Sequence, residues 1–468
     1  MSACGRILLR AKPQPPSLGL VQSDSAQTVI VKKSTNHSVR GKILLIFIAN
    51  SKISRKFTPK FQTITKTQFI YLLKMKALNI SLLGLGAFAL MLSACSGNAP
   101  QQPVLTKSGL DVAKFDTIIN GDSVKLYTLA NANGMEVCVT NYGGRVVSLV
   151  VNDKDGKPTD VVLGFDNIAQ YADTLNSPTD YGSSVGRYAN RIKDSKFTLN
   201  GTEYQLRAND HGNCLHGGGT TGWMHKVYKA EQVDGQTLKL TIVAQDGENG
   251  FPGTVTATTT YKVTDDNVLD IVWEATTDKE TIINQTNHNY YNLSGDFTQA
   301  GYDQVLYVNA DNFTPSDKLY IPTGEIKSVE GTPMDFRTAH AIGDSIKSEF
   351  DQIQNAGGYD HNWCLNTYKD GKGDDTQVCA SLYSPKTGIL MEMFTNEPGV
   401  QVYSGNFQGV GNEVNIHHKN NLVYPQHVSV CLESQKYPDS PNKANWVQPT
   451  LKPGEAYYSH AAYKFSIK

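Results

Sequence analysis

The sequence contains few cysteines, and none lies at a spacing typical of metal ligands. Seven occur in 468 residues, without any CxxC pattern. A structural zinc site is therefore not expected, because such sites usually combine paired thiolates. When Cys4 and Cys95 are set aside, five remain, which is an odd number for a complete set of disulfides. One or two disulfides in an oxidising compartment stay open, beside the alternative of separate buried thiols.

Helical periodicity and long apolar runs are also scarce. Residues 340–354 are the best candidate for a helix. Residues 43–49 form an apolar run that is shorter than the roughly 20 residues needed to span a bilayer. No internal repeat is evident, and no long linker divides the chain after residue 105. A buried parallel sheet would need helices between its strands, so that class of fold is disfavoured.

Charge is unevenly divided along the chain. The segment that ends at Lys74 holds 13 Lys and Arg residues and a single acidic residue, Asp24. The remainder holds 30 basic and 43 acidic residues, so a nearly neutral total hides an acidic body. This balance argues against nucleic acid or an anionic membrane surface as the main partner.

Residues 75–95 resemble a bacterial lipoprotein signal. Lys76 supplies a positive start, residues 78–92 are largely apolar, and the small residues of LSAC end at Cys95. The alternative, a short transmembrane anchor, is disfavoured by the length of the run. We therefore expect a protein that is exported to the periplasmic side of the envelope, with a lipid on Cys95 and the outer membrane as the favoured location. Residues 1–74 are interpreted as an over-extended gene model, and residues 96–104 as a flexible tether.

The body, residues 105–468, shows the two-residue periodicity of β-strands. Runs such as KFTLNGTEYQL, TLKLTIVAQ, GTVTATTTYKV and VLDIVWEATT are rich in β-branched and aromatic residues and are bounded by turn signals. Asn200-Gly201 between two such runs predicts a hairpin. The pattern predicts one all-β domain, and a domain of this size favours a large sandwich over a small barrel.

Six polar, glycine- and aromatic-rich clusters interrupt this pattern. Each cluster alone is compatible with a turn, a capped loop or a surface charge. Together they supply the hydrogen-bond donors and acceptors that a sugar requires, and Tyr188, Tyr290, Tyr359 and Tyr403 offer rings that can stack on a pyranose. The clusters are GRYANR (186–191), NCLHGG (213–218), NQTNHNYYNL (284–293), GYDHN (358–362), NEPGVQ (396–401) and CLESQKYPD (431–439).

These motifs, in this order, resemble those of the aldose 1-epimerase (galactose mutarotase) family from about Tyr127 to the C-terminus. The resemblance implies a large antiparallel β-sandwich of the galactose mutarotase-like supersandwich type. It also implies an isomerase that interconverts the α and β anomers of free aldoses such as galactose and glucose. The sequence departs from the family at Tyr188 and in the segment GVGNEVNIHHKNN (409–421), and this segment puts the range of substrates in doubt.

The resemblance also assigns roles to individual residues. It implies that Glu433 is the general base, that His288 is the general acid and that His216 is a second imidazole near the ring oxygen. The other implied substrate-binding residues are Asn190, Arg191, Asn289, Tyr290, Asp360 and Gln401.

Anomer exchange needs one base and one acid, and the carbon keeps its oxidation state, so no cofactor is expected. Glu433 must be ionised and His288 protonated, which we expect an ion-pair-rich polar site to allow. No metal is required by the chemistry. The TDDN (264–267) and KDGKGDD (369–375) loops are possible structural Ca²⁺ sites, although solvated acidic turns are the favoured interpretation.

Other functions stay open at this point. A carbohydrate-binding protein with the same sandwich fold would need aromatic and amide groups but no matched acid and base. A glycoside hydrolase could use Asp360 and Glu433 as its carboxylate pair. A hexose-6-phosphate epimerase should carry a basic cluster for the phosphate, and none is obvious beside these motifs. A monomer that acts on small sugars is the expectation, and the preferred aldose is not fixed.

Overall fold

A computed structural model of the protein describes residues 103–176 and 179–468, and these residues are nearly all β. Within them the α-helices are α1 (Ile168–Ala172) and α2 (Asp351–Ala356). The predicted extension, the signal segment with Cys95 and nearly all of the tether lie outside the described residues. None of the helices in the described part is long and apolar enough to cross a membrane.

The strands are short in the connecting regions and longest in the main sheet. They are β1 (Thr117–Ile119), β2 (Asp122–Val124), β3 (Leu126–Ala130), β4 (Glu136–Thr140), β5 (Arg145–Asn152), β6 (Pro158–Asp160), β7 (Ser184–Val185), β8 (Arg191–Ile192), β9 (Lys196–Leu199), β10 (Thr202–Gln205), β11 (Cys214–Leu215), β12 (Lys229–Gln232), β13 (Thr237–Ala244), β14 (Val255–Val263), β15 (Val268–Thr277), β16 (Thr281–Ile282), β17 (Thr286–Asn287), β18 (Val305–Val308), β19 (Asn312–Thr314), β20 (Lys327–Ser328), β21 (His340–Ala341), β22 (Asp360–Cys364), β23 (Tyr368–Lys369), β24 (Lys372–Gly373), β25 (Ala380–Tyr383), β26 (Ile389–Thr395), β27 (Gly399–Tyr403), β28 (Cys431–Gln435), β29 (Thr450–Leu451) and β30 (Tyr457–Ile467).

A nine-stranded antiparallel sheet forms the largest layer, in the order β12-β13-β14-β15-β30-β26-β25-β18-β21. Its strands alternate as the sequence pattern predicts. In β15, for example, Leu269, Ile271 and Trp273 are buried, whereas Glu274 is exposed. Alternation of this kind directs one face of a sheet toward the core and the other toward water.

A smaller five-stranded antiparallel sheet, β20-β19-β22-β27-β28, carries the polar motifs. Three of its five strands, β22, β27 and β28, are buried along their whole length. One apolar cluster joins residues of this sheet, such as Val402, to Val139 of the four-stranded sheet β3-β4-β5-β6 and to Leu240 of the nine-stranded sheet. The prediction of a large antiparallel β-sandwich is confirmed.

The predicted hairpin at Asn200-Gly201 is confirmed. Leu199 of β9 pairs with Thr202 of β10, and the two turn residues have φ angles of 51° and 78°. Both angles are positive, as a type I′ turn requires.

The prediction of a helix over residues 340–354 is wrong for most of its length. His340–Ala341 is strand β21, Ile342–Asp344 is a single 3₁₀ turn, and the α-helix occupies only Asp351–Ala356. The backbone N–H groups of Ile342 and Gly343 donate to the carbonyls of Gln304 and Tyr302. His340 and Ala341 pair with Leu306 and Val305 of β18, and this pairing holds the backbone extended where the helix was predicted to begin.

The cysteines of the described residues are separate buried thiols: Cys138, Cys214, Cys364, Cys379 and Cys431. Burial raises the pKa of Cys138 to about 11 and that of Cys214 to about 12. Thiols with such pKa values are mostly protonated at neutral pH and therefore weak nucleophiles.

Candidate active site

The polar motifs meet at a cavity of about 160 Å³. Eight of the residues predicted from the sequence line this cavity: Asn190, Arg191, His216, His288, Tyr290, Asp360, Tyr403 and Glu433. The predicted rings of Tyr188 and Tyr359 do not, and neither do Gln401 and Asn289. Gln401 lies behind Asp360 and donates a hydrogen bond of 2.7 Å to its carboxylate, and Asn289 donates to the Tyr291 hydroxyl at 3.0 Å. These two residues therefore support the wall of the cavity.

Glu433 occupies the middle of β28, a strand at the edge of the five-stranded sheet that is buried throughout. Its side chain is 2% exposed, and one carboxylate oxygen, Oε2, has no hydrogen-bond partner. Burial raises the pKa of Glu433 well above its ordinary value, and the charges of Asp360 and Asp180 raise it further, whereas Arg191 lowers it. A carboxyl group with a raised pKa is a stronger base once it ionises.

His288 is held by backbone pairing and by an aromatic ring. Its N–H donates to the carbonyl of Ser183, and its carbonyl accepts from the N–H of Gly182, both at 2.9 Å. The imidazole stacks on Tyr290, with 4.8 Å between the ring centroids. Its Nε2 lies 3.6 Å from Oε1 of Glu433, while the buried Nδ1 has no partner. The two residues therefore face each other at a spacing that one hydroxyl group can bridge.

Burial acts against the expected charge state of this pair. It lowers the pKa of His288 to about 3, although the negative charge of Asp180 opposes the change. Burial raises the pKa of Glu433, so both shifts oppose ionisation. A neutral pair and a carboxylate–imidazolium pair hold the same number of protons, so the charged form needs transfer of a proton within the pair rather than uptake of another.

Contacts with Asn190 and Asp210 hold His216 and Arg191, respectively. The N–H of Asn190 donates to Nδ1 of His216 at 3.2 Å, which makes Nδ1 the acceptor and leaves Nε2 as the protonated nitrogen. Arg191 is anchored by Asp210 at 2.7 Å and lies over the ring of Tyr320 at 4.6 Å. The rings of His216 and His288 meet edge to face, 5.3 Å apart.

Gly217 allows the close packing of this loop. A Cβ atom at that position would lie 2.4 Å from the carbonyl oxygen of Gly186, and the residue has a φ of 69°. Only glycine meets both conditions without strain. The LHGG motif therefore brings His216 to the cavity through backbone geometry.

Four further charged or aromatic residues of the cavity were not predicted from the sequence: Asp180, Tyr181, Phe407 and Glu413. Asp180 offers a carboxylate oxygen that lies with one ring nitrogen of His216 and one of His288, all within 4.8 Å of one another. In the sequence, Asp180 is an acidic residue six positions before the GRYANR motif, and it belongs to none of the motifs. Glu413 belongs to the 409–421 segment, and burial raises its pKa to about 7.

An antiparallel sandwich that places a carboxyl group opposite an imidazole in a buried polar cavity points to the class of enzymes that convert sugars. The model of the family "Aldose 1-epimerase" matches residues 125–464. The chain belongs to the aldose 1-epimerase family, and it is an epimerase, an isomerase that acts on carbohydrates.

Curated relatives support this assignment over most of their length. The galactose mutarotase of Mus musculus is 37% identical over 347 residues, which are 74% of this chain and 95% of that protein. The aldose 1-epimerase of Escherichia coli K12 is 35% identical over 348 residues, covering 74% and 96%.

Solved structures agree. The galactose 1-epimerase of Lactobacillus acidophilus aligns with a TM-score of 0.64 at 29% identity, over 75% of this chain and 97% of that one. The aldose epimerase homologue of C. elegans gives a TM-score of 0.66 at 27% identity, over 74% and 99%.

Proposed function

We propose that the protein interconverts the α and β anomers of free aldoses such as galactose and glucose, with Glu433 as base and His288 as acid. The observation that carries the proposal is the 3.6 Å approach of His288 Nε2 to Glu433 Oε1 across one cavity. Relatives named galactose mutarotase and aldose 1-epimerase support the choice of substrates.

The reaction opens and closes a hemiacetal. The Glu433 carboxylate takes the proton of the C1 hydroxyl while the His288 imidazolium gives a proton to the ring oxygen, so the bond between C1 and that oxygen breaks. The aldehyde rotates about C1–C2, and the hydroxyl at C5 attacks its other face. The same two proton transfers then run in reverse. Both residues end in their starting states, and C1 keeps its oxidation state, so the proposed reaction uses neither a redox cofactor nor a metal.

The remaining polar residues hold the sugar. Arg191 and His216 line the cavity, and we assign their N–H groups to the ring oxygen, where charge develops during the reaction. Asp360 accepts a hydrogen bond from Gln401, and this bond orients its carboxylate for sugar hydroxyls. We assign Asn190 to the same binding role.

The proposal is tested by Glu433→Gln, which keeps the shape of the side chain and removes the base. Turnover, followed by polarimetry on freshly dissolved α-glucose, should fall by on the order of 10²- to 10⁴-fold. Galactose binding, measured by calorimetry, should stay close to that of the wild type.

Glu392→Gln is the matched control, because Glu392 lies on β26 outside the cavity and should tolerate the change at full turnover. Near-normal turnover of Glu433→Gln would remove Glu433 from the role of base. Sugar binding by the wild-type protein without any mutarotation would instead favour a carbohydrate-binding protein.

A further inference from the structure

We propose that Asp180 is a positioning residue whose carboxylate favours protonation of the His288 imidazole. The inference rests on the proposed role of His288 as the acid. It assigns a function to a residue that belongs to none of the sequence motifs.

The carboxylate of Asp180 lies close to both histidines of the cavity. One oxygen of Asp180 and one ring nitrogen each of His216 and His288 lie within 4.8 Å of one another. Asp180 lines the same cavity as Glu433, and it is the carboxylate that joins the two histidines in this group. An anion at that range stabilises an imidazolium ion and orients its N–H.

The second support is the rigidity of the backbone that carries Asp180. The guanidinium of the buried Arg145 donates to the carbonyls of Thr179 and Tyr181, both at 3.0 Å, so it holds the chain on each side of Asp180. The carbonyl of Asp180 also accepts from the N–H of Ser183 at 3.0 Å. The carboxylate is therefore placed by fixed backbone rather than by a free loop.

The same backbone also fixes His288. Strand β7 pairs with β17, and the hydrogen bonds of Gly182 and Ser183 with His288 extend that pairing to the catalytic residue. Asp180 and His288 are thus attached to paired segments, and their separation cannot change without breaking these bonds.

The third support is the need for a negative charge. Burial alone favours a neutral imidazole, and the positive charges of His216 and Arg145 favour it further. Asp180 is the negatively charged group that raises the pKa of His288, and the same carboxylate raises the pKa of His216.

The surrounding charges leave Asp180 ionised. Burial raises its pKa, but His216, His288, Arg145 and His225 together outweigh burial, and its pKa lies below the ordinary value. Other carboxyl groups of the cavity behave differently, because burial raises the pKa of Glu413 to about 7 and that of Asp360 above its usual value. The direction of this shift favours the ionised form of Asp180.

The test is the pH profile of kcat/KM for Asp180→Asn, measured by polarimetry. The protonated form of His288 is lost as pH rises through its pKa, and loss of the anion lowers that pKa. The alkaline limb should therefore move to lower pH by about one unit. Asp180 also raises the pKa of Glu433, so the acidic limb should move in the same direction. With an alkaline limb between pH 7 and pH 8, turnover should fall about fivefold more at pH 8 than at pH 6.

Two further variants control the result. Asp180→Glu keeps the charge and should restore the alkaline limb toward its wild-type position. Glu413→Gln removes a different carboxyl group from the same cavity. It should leave the limb in place, because Asp180, His216 and Arg145 are the charges that dominate at His288.

A direct readout uses ¹⁵N-labelled histidine. The nuclear magnetic resonance titration of the His288 ring, assigned by comparison with His288→Gln, should show a lower pKa in Asp180→Asn. This measurement does not depend on turnover, so it separates a failure of this inference from a failure of the proposed acid role. An unshifted alkaline limb with an unshifted ring titration would overturn the inference, whether or not kcat falls. A rise in KM alone would make Asp180 a sugar ligand and would also overturn it.

Discussion

The side chains of the cavity differ in how many of their polar atoms have hydrogen-bond partners. A chain of amides lies behind Asp360, in which Gln435 donates to Gln401 at 3.1 Å and Gln401 donates to Asp360 at 2.7 Å. By contrast, Oε2 of Glu433 and Nδ1 of His288 are buried without partners. The groups proposed to hold the sugar are thus oriented by hydrogen bonds before it binds. The groups proposed to move protons keep unused hydrogen-bonding capacity for the reaction.

Asp360→Asn tests the binding role at the scale of one residue. A charged acceptor would be lost while the shape of the side chain is kept. Hydrogen bonds to charged groups contribute about 1.5–3 kcal/mol, so KM for galactose should rise roughly 10- to 100-fold. Because Asp360 is not a proton-transfer group in the proposed reaction, kcat should fall much less. Steady-state kinetics separate the two effects.

Asp303→Asn is the corresponding control, since Asp303 is exposed and outside the cavity. An unchanged KM in Asp360→Asn would exclude Asp360 from sugar binding.

At the scale of elements, the turn of the LHGG motif is as important to the site as the strands. Gly217 and Gly212 both have positive φ angles, 69° and 87°. They differ in their surroundings. A Cβ atom at Gly217 would lie 2.4 Å from a carbonyl oxygen, whereas a Cβ atom at Gly212 would have no other atom within 4 Å. The two glycines therefore separate backbone preference from steric contact.

Gly212→Ala should lower the free energy of unfolding by about 1 kcal/mol, the cost of a left-handed alanine. Gly217→Ala should lower it further and should also reduce turnover, because the loop that carries His216 must shift. Urea unfolding and polarimetry on the two variants provide the comparison. Equal losses of stability would show that the close contact at Gly217 is relieved without cost.

The sequence predicted elements better than it predicted their arrangement. Alternating runs such as β13–β15 were recognisable, because a half-buried strand has a period of two. The prediction of a helix over residues 340–354 was wrong because residues 340–341 pair with strand β18, and such contacts are not local. The pairing of β15 with β30 joins Val268 to Lys464, a separation that no local pattern specifies.

The site was predicted in the same uneven way. Resemblance identified His288 and Glu433, which the structure brings to 3.6 Å. Asp180 was missed because it stands alone before its motif and gains its significance from histidines that are distant in sequence. The effect of burial on the pKa values of the acid–base pair was also not predicted, because composition does not reveal burial.

At the scale of the whole molecule, the proposed lipid anchor remains to be tested. In a bacterial host, Cys95→Ser should move the protein from the membrane fraction to the soluble fraction and abolish fatty-acid labelling, because the acceptor thiol is lost. Ser96→Ala, one residue further on, should leave both unchanged. Labelling that persists in Cys95→Ser would contradict the proposed anchor. Size-exclusion chromatography of protein that begins after Cys95 would test the expected monomer.

The position of β30 in the nine-stranded sheet has a consequence for biosynthesis. This strand has eleven residues and follows all the other described strands in sequence. It lies between β15 and β26 and is hydrogen-bonded to both. Until it emerges from the ribosome, the sheet consists of two separate halves, each with an unpaired edge. The core therefore closes only after residues 457–467 have been synthesised, and a nascent chain that is truncated before Tyr457 presents two aggregation-prone edges to the quality-control machinery.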